Sequence, residues 1–201
     1  MGIRESSLET KTEENISELV GKKLIVGNRV PVKYFWTSGI GEDNEQIHAG
    51  SYHLALSDAG IEKCNVMTYS SIMPKDAVEV PLPEEYEFTH GQEICTIEAR
   101  VDVNKGELGS AGIILGWLYD RDTKEKYGGL VCERNGNLTE DDVKTSLIKS
   151  LNILYEKYRQ DYDLHVDRII VRSIKPEKKY GTALVSIGFI QYEMEILGVK
   201  K

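Results

Sequence analysis

"NVMTYSSIMP", residues 65–74, is a β-type run that ends on two adjacent serines, a short apolar pair and a proline. Read as a strand, residues 65–71 extend and then turn at once, because Pro74 lacks a backbone donor and fixes its own φ. The stretch before it sets the architecture. "HAGSYHLALSDAGI", residues 48–61, carries Tyr52, Leu54, Ala55, Leu56 and Ala59 and stops at Gly60, which predicts a helix. Further upstream, residues 32–37 read as a strand closed by the loop "SGIGEDNE", residues 38–45. Gly39 and Gly41 there are expected to serve a tight turn, since a lone Gly-x-Gly is weak evidence for phosphate binding. Strand, helix and strand in this order predict a β-α-β unit with parallel pairing and a right-handed crossover.

Downstream, "VEVPLPEEYEFTHG" is a proline-punctuated connection, and three β-type segments follow: "EICTIEARVDV", "AGIILGWLYD" and "YGGLVCERNG". Residues 113–118 are almost continuously apolar, as in a strand covered on both faces. Thr139 is a good N-cap, and Glu140, Asp141 and Asp142 complement the positive end of the helix dipole. Val143, Leu147, Leu151, Leu154 and Tyr158 then recur at helical spacing on one apolar stripe. "VDRIIVRSI" and "GTALVSIGFIQYEME" read as closing strands. Residues 1–20 are polar and charged and are expected to form a mobile tail, with at most a short helix at 16–20. The remainder, 21–201, reads as a single mixed α/β domain.

The chain has 201 residues, 40% hydrophobic and 29% charged, with a net charge of −8. A balance this acidic argues against nucleic acid or an anionic membrane as the main partner. No apolar run has membrane-span length, and no signal-peptide h-region opens the sequence, so a cytoplasmic location is expected. Cys64, Cys95 and Cys132 are odd in number and far apart, and His48, His53, His90 and His165 lack ligand spacing. Neither a disulfide framework nor a metal site is expected; the cysteines read as small buried hydrophobes.

The serine pair admits two readings. A serine-rich turn is the ordinary one. In the other, the Ser71 hydroxyl attacks the Ser70 carbonyl, an ester replaces the amide, and β-elimination splits the chain. Residue 71 is left as dehydroalanine, which hydrolyses to a pyruvoyl group and ammonia. That route needs a well-positioned or strained peptide and donors for the developing oxyanion.

"GIEKCNVMTYSSIMP", with the helix "GSYHLAL" and the loop "TSGIG" before it, resembles the pyruvoyl-dependent arginine decarboxylases. "YGGLVCERNG" is similar to that family's Gly-Leu-x-x-Glu segment, and "KKYGTALVSIGF" to its closing strand; the likeness covers roughly residues 30–195. The resemblance implies a four-layer αββα sandwich that assembles as a homotrimer of processed αβ units, with active sites between subunits. It implies cleavage between Ser70 and Ser71, giving a β chain of residues 1–70 and an α chain of 71–201 headed by a pyruvoyl group. That covalent cofactor, derived from Ser71, would form a Schiff base with a small amino-acid substrate, and no free cofactor is needed. Ser71, Asn65 and Glu133 match the family's catalytic positions, Glu133 as proton donor.

Asn65 raises a geometric question. It lies six residues before Ser71, so on one straight strand the two would share a face yet stand roughly 20 Å apart. Asn65 of one subunit is therefore expected to serve the reactive group of a neighbour. His53 is a departure: the family carries an aspartate there, twelve residues before the asparagine, to bind the cationic guanidinium. A neutral imidazole accepts one hydrogen bond but offers no negative charge. Glu42, Asp43 or Glu45 are candidates to compensate, and His53 is equally readable as a core-facing helix residue. The resemblance implies an L-arginine decarboxylase producing agmatine and CO2, for polyamine synthesis or acid resistance. The alternatives are decarboxylation of another amino acid, and an unprocessed, non-enzymatic trimeric binding or scaffold protein.

Overall fold

A computed structural model of the chain describes residues 22–82 and 88–200. The expected tail of residues 1–20 lies outside them. In chain order the elements are β1 (Lys23–Val26), β2 (Val30–Asp43), a π-helical turn (Ile47–Tyr52) continuing into α1 (His53–Asp58), and then β3 (Asn65–Thr68), β4 (Ile72–Pro74) and β5 (Val78–Glu79). They continue as β6 (Glu93–Asn104), β7 (Gly109–Asp120), β8 (Lys126–Gly136), α2 (Glu140–Tyr155), β9 (Tyr162–Ile174), β10 (Tyr180–Glu193) and β11 (Ile196–Lys200). The result is an α/β fold, mostly β-sheet.

Among the described residues the chain divides into two units, one of residues 31–192 and one of residues 22–30 together with 193–200. In the smaller, β1 and β11 pair antiparallel with Lys23 opposite Lys200. Leu24, Ile25, Ile196 and Leu197 on this ribbon are exposed.

The larger unit holds two sheets, ordered β3-β6-β10-β2-β5 and β4-β8-β7-β9. β6 and β10 run antiparallel over ten residue pairs, from Asn104 opposite Tyr180 to Cys95 opposite Phe189. Along β6, Ile97, Ala99, Val101 and Val103 alternate with Glu98, Arg100 and Asp102, and the apolar set is buried. These four join Ala111, Ile113, Leu115 and Val131 of the second sheet in one core cluster. β7 is buried along both faces, as its continuous apolar run predicts: Ile113 and Leu115 enter that cluster, while Ile114 and Leu118 pack with α2.

α2 forms as expected. Thr139 accepts from the Asp142 N–H, and the Asp142 carboxylate accepts from the Thr139 N–H in return, a capping box. Val143, Leu147 and Leu151 are fully buried on its inner stripe, but Leu154 is partly exposed and Tyr158 lies past the helix end. α1 packs Ala55 and Leu56 against Phe35, Ile94 and Leu184 of the five-stranded sheet.

Three expectations need correction. β2 does not stop before the glycines; it runs through Gly39 and Gly41 to Asp43. A Cβ at Gly39 would collide with the Ala55 carbonyl, and one at Gly41 with the Ser51 carbonyl, so these glycines admit the helix against the strand rather than form a turn. Secondly, β2 and β3 do not pair, because β10 and β6 stand between them; β3 pairs in parallel with β6. Long β6 and β10 occupy the sheet's middle, leaving four-residue β3 an edge. Thirdly, residues 65–71 are not one strand, since β3 ends at Thr68 and β4 belongs to the other sheet.

Candidate active site

Ser71 lies where the chain leaves one sheet for the other. Tyr69 still donates its N–H to the Thr96 carbonyl of β6 at 2.8 Å, whereas the Ser71 carbonyl accepts from the Val131 N–H of β8 at 3.0 Å. Between these anchors the Ile72 N–H donates to the Ser70 carbonyl at 3.0 Å, closing a γ-turn centred on Ser71. Lys124 is the one non-glycine residue with a positive φ among the described residues, so Ser71 sits in ordinary backbone territory. The peptide is positioned by hydrogen bonds, not by φ strain.

β4 runs antiparallel to β8 with Ile72 opposite Leu130. This register sets Ser71 against Val131, two residues before Glu133. The Ser71 hydroxyl donates to Glu133 Oε1 at 2.5 Å. Glu133 is half-buried and pairs with neither Arg134 nor Lys126; the Lys126 ammonium sits 3.9 Å over the Trp117 ring instead. Ser71 and Glu133 open onto a cavity of about 490 Å³ that also takes in Ile72, Cys132, Ser150 and Ile153. Burial first, and then the Glu133 charge, push the Cys132 thiol up to about 11, so it stays a neutral wall at ordinary pH. Ile72 and Ile153, at 60% and 61% exposure, form an apolar rim.

Asn65 and His53 lie elsewhere, together, on a separate cavity of about 570 Å³ shared with His48, Tyr52, Glu62 and Cys64. The Asn65 amide donates Nδ2–H to the Gly91 carbonyl at 3.0 Å, which ties it to a neighbouring loop and leaves Oδ1 as an acceptor. His53 is exposed, so the core-facing alternative is excluded. Two of the three loop acids are committed to backbone, and Glu45 is exposed. Asp43 Oδ1 accepts from the Glu45 and Gln46 N–H groups at 2.7 and 2.9 Å, and Glu42 Oε2 accepts from the Glu177 and Lys178 N–H groups at 3.0 and 3.1 Å. The two bonds, that from Gln46 foremost, hold the Asp43 carboxyl below its usual range. Of the cysteines, Cys95 and Cys132 are buried, but Cys64 is half-buried on this cavity.

The structure thus brings Ser71 to Glu133 and Asn65 to His53, and does not bring the two pairs to one cavity of one chain. The residues not foreseen are Glu62, His48 and Tyr52 on one cavity and Ser150 on the other. A signal existed for Ser150, which stands at i, i+3 and i, i+4 to Ile153 and Leu154 on α2. Glu62 lies three residues before Asn65 in an unremarked turn. Among the described residues no helix is long and apolar enough to cross a membrane.

Residues 33–194 match the family model described as pyruvoyl-dependent arginine decarboxylase. The chain belongs to the pyruvoyl-dependent arginine decarboxylase family. A probable pyruvoyl-dependent arginine decarboxylase of Chlorobaculum tepidum is 33% identical over 144 residues, covering 67% of this chain and 76% of its own length. One from Chlorobium luteolum is 35% identical over 142 residues, with the same shares. A pyruvoyl-dependent arginine decarboxylase of Methanocella arvoryzae is 37% identical over 105 residues, 50% of this chain and 60% of its own.

Proposed function

We infer that the chain cuts itself between Ser70 and Ser71 and then decarboxylates L-arginine to agmatine and CO2. The observation that carries this reading is the Ser71 hydroxyl bonded to Glu133 at 2.5 Å beside a Ser70 carbonyl that already accepts the Ile72 N–H. In processing, Ser71 Oγ attacks the Ser70 carbonyl carbon while Glu133 accepts the hydroxyl proton. The Ile72 N–H stabilises the oxygen as its charge grows. The C–N bond breaks, its nitrogen takes a proton, and an ester stands in place of the amide. Loss of the Ser71 α-proton then expels chain 1–70 as a carboxylate, and water releases ammonia from residue 71.

The site fits the resulting group: position 71 opens onto a cavity, faces a carboxyl, and is held by the Val131 N–H. A pyruvoyl group there supplies a carbonyl for the substrate's amine and a sink for the electrons that CO2 leaves behind. Glu133 is placed to deliver a proton to the substrate's α-carbon. Ile72, Val131 and Ile153 give the cavity an apolar side.

The three core clusters support a helix-sheet-sheet-helix order, the αββα sandwich. We place the working protein in the cytoplasm as a homotrimer in which Asn65 and His53 of one subunit face position 71 of the next. The separate cavities of Asn65 and Ser71, and the uncovered rim of Ile72 and Ile153, favour that arrangement. Polyamine synthesis or acid resistance would use the product.

Intact mass spectrometry under denaturing conditions, with CO2 release from arginine, tests the function. Two chains, the larger with an N-terminal pyruvoyl, and turnover are expected; one persistent uncut chain and no turnover would return the protein to a scaffold role. Shared sites have their own signature. Asn65→Ala and Ser71→Ala proteins, each crippled alone, should recover activity when assembled together. Half of the subunits then carry an intact Asn65 and half an intact Ser71, so about a quarter of the sites are complete. No recovery in proven mixed trimers would put both residues in one subunit's site.

A further inference from the structure

We propose that Glu62 is the specificity-determining carboxylate of this protein, taking over the guanidinium contact from the position that His53 occupies. This rests on the arginine-decarboxylase reading above and names the residue that selects the cationic side chain.

The cavity containing Asn65 and His53 has Glu62 as its sole carboxylate among the described lining residues. Of the acids before it in sequence, Glu42 and Asp43 are engaged as described, Asp58 Oδ2 accepts from the Ile40 N–H at 2.9 Å, and Glu45 is exposed on its loop. None of these lines the cavity. Glu62 is half-buried in the turn between α1 and β3, three residues before Asn65, and no hydrogen bond or ion pair among the described residues engages it. Its charge is felt inside the cavity: together with burial, the larger cause, it raises the pKa of the Cys64 thiol on the same wall.

The remaining lining groups suit the same ligand. Guanidinium carries five N–H donors and no acceptor, so it needs a site of acceptors. Asn65 Oδ1 is an acceptor once Nδ2 has gone to Gly91, and an imidazole nitrogen without a proton, at His48 or His53, adds another. His48 and Tyr52 stack at 5.8 Å and 22°, a flat aromatic surface on the cavity wall. The Arg100 guanidinium already lies 4.2 Å from the Tyr52 ring centre, so the ring accepts such a partner. A carboxylate able to take two parallel N–H bonds is what converts this into recognition of arginine over an uncharged analogue.

The test compares L-arginine with L-citrulline, which has nearly the same shape and a neutral ureido end. Processed wild-type, Glu62→Gln and Glu62→Gln/His53→Asp proteins are assayed for both, with extent of cleavage and thermal melting as controls. Glu62→Gln should raise KM for arginine about 10- to 100-fold, the worth of one charged hydrogen-bonded contact, with kcat nearly unchanged. Citrulline kinetics should stay as they are, and adding His53→Asp should restore arginine. An unchanged arginine-to-citrulline ratio in Glu62→Gln, with wild type turning arginine over, overturns the assignment and leaves the function standing. If processed wild type releases no CO2 from arginine, the function fails instead. Calorimetry with agmatine then decides on Glu62: a tenfold loss of affinity in Glu62→Gln upholds it, and equal affinity overturns it.

Discussion

Ser71→Ala should yield a single uncut chain of 201 residues where the unaltered protein is expected to give chains of 1–70 and 71–201. Alanine has no Oγ, so neither the attack on the Ser70 carbonyl nor the later elimination has an atom to use. Decarboxylation should fall about 10⁴-fold or more, to background, because the electron sink is never made. The fold should survive, since the Ser71 backbone keeps its bond to Val131 and the Ile72 N–H keeps the Ser70 carbonyl. The measurable local cost is that Glu133 loses its hydroxyl partner and must find water. Mass spectrometry and CO2 release read the two effects separately. Cleavage between residues 70 and 71 in this variant would show that a group other than the Ser71 hydroxyl cuts the chain.

Glu133→Gln should lower kcat about 10²- to 10⁴-fold, the usual worth of a positioned acid or base. The amide is nearly the same size as the carboxylate, and in the uncut chain its Oε1 can still accept from the Ser71 hydroxyl, so the side chain keeps its place while proton transfer is lost. Processing should slow as well, because the same carboxylate faces the attacking hydroxyl in the uncut chain. A time course of uncut chain by mass, followed by kcat of the cut fraction, separates the two roles. A kcat within a few-fold of normal in fully cut protein would remove Glu133 from the reaction.

How much of this is readable in one dimension depends on how far each cause lies along the chain. α2 is legible from Thr139 to Leu151 because its cap, its acidic first turn and its buried stripe are all local. β7 is legible because being covered on both faces leaves a continuous apolar run. Gly39 and Gly41 mislead, since a tight turn and a helix pressed against a strand both demand a missing Cβ, and the helix atoms that decide it, at Ser51 and Ala55, come 10 or more residues later. The break after Thr68 is invisible for a similar reason: β3 answers to β6 and β4 to β8, and neither partner is nearby in sequence. At the site, Ser71 and Glu133 are 62 residues apart and were linked only by family resemblance. Glu62, with no likeness to draw on, became visible only once the cavity around Asn65 was.

The crossing at Ser70 has a consequence for assembly. The segment before it supplies β2 and β3 to the five-stranded sheet, while the segment after it supplies β6, β10 and β5, so the two interleave as β3-β6-β10-β2-β5. A cut at residue 70 therefore severs the covalent tether without freeing either piece, as each is held by strands of the other. Before the cut, folding brings these strands together within one chain, at a modest loop-closure entropy. After it, the same step is an encounter between two molecules and depends on their concentration. Such a molecule, if cut, would be far easier to keep folded than to fold again, and its maturation would work as a ratchet.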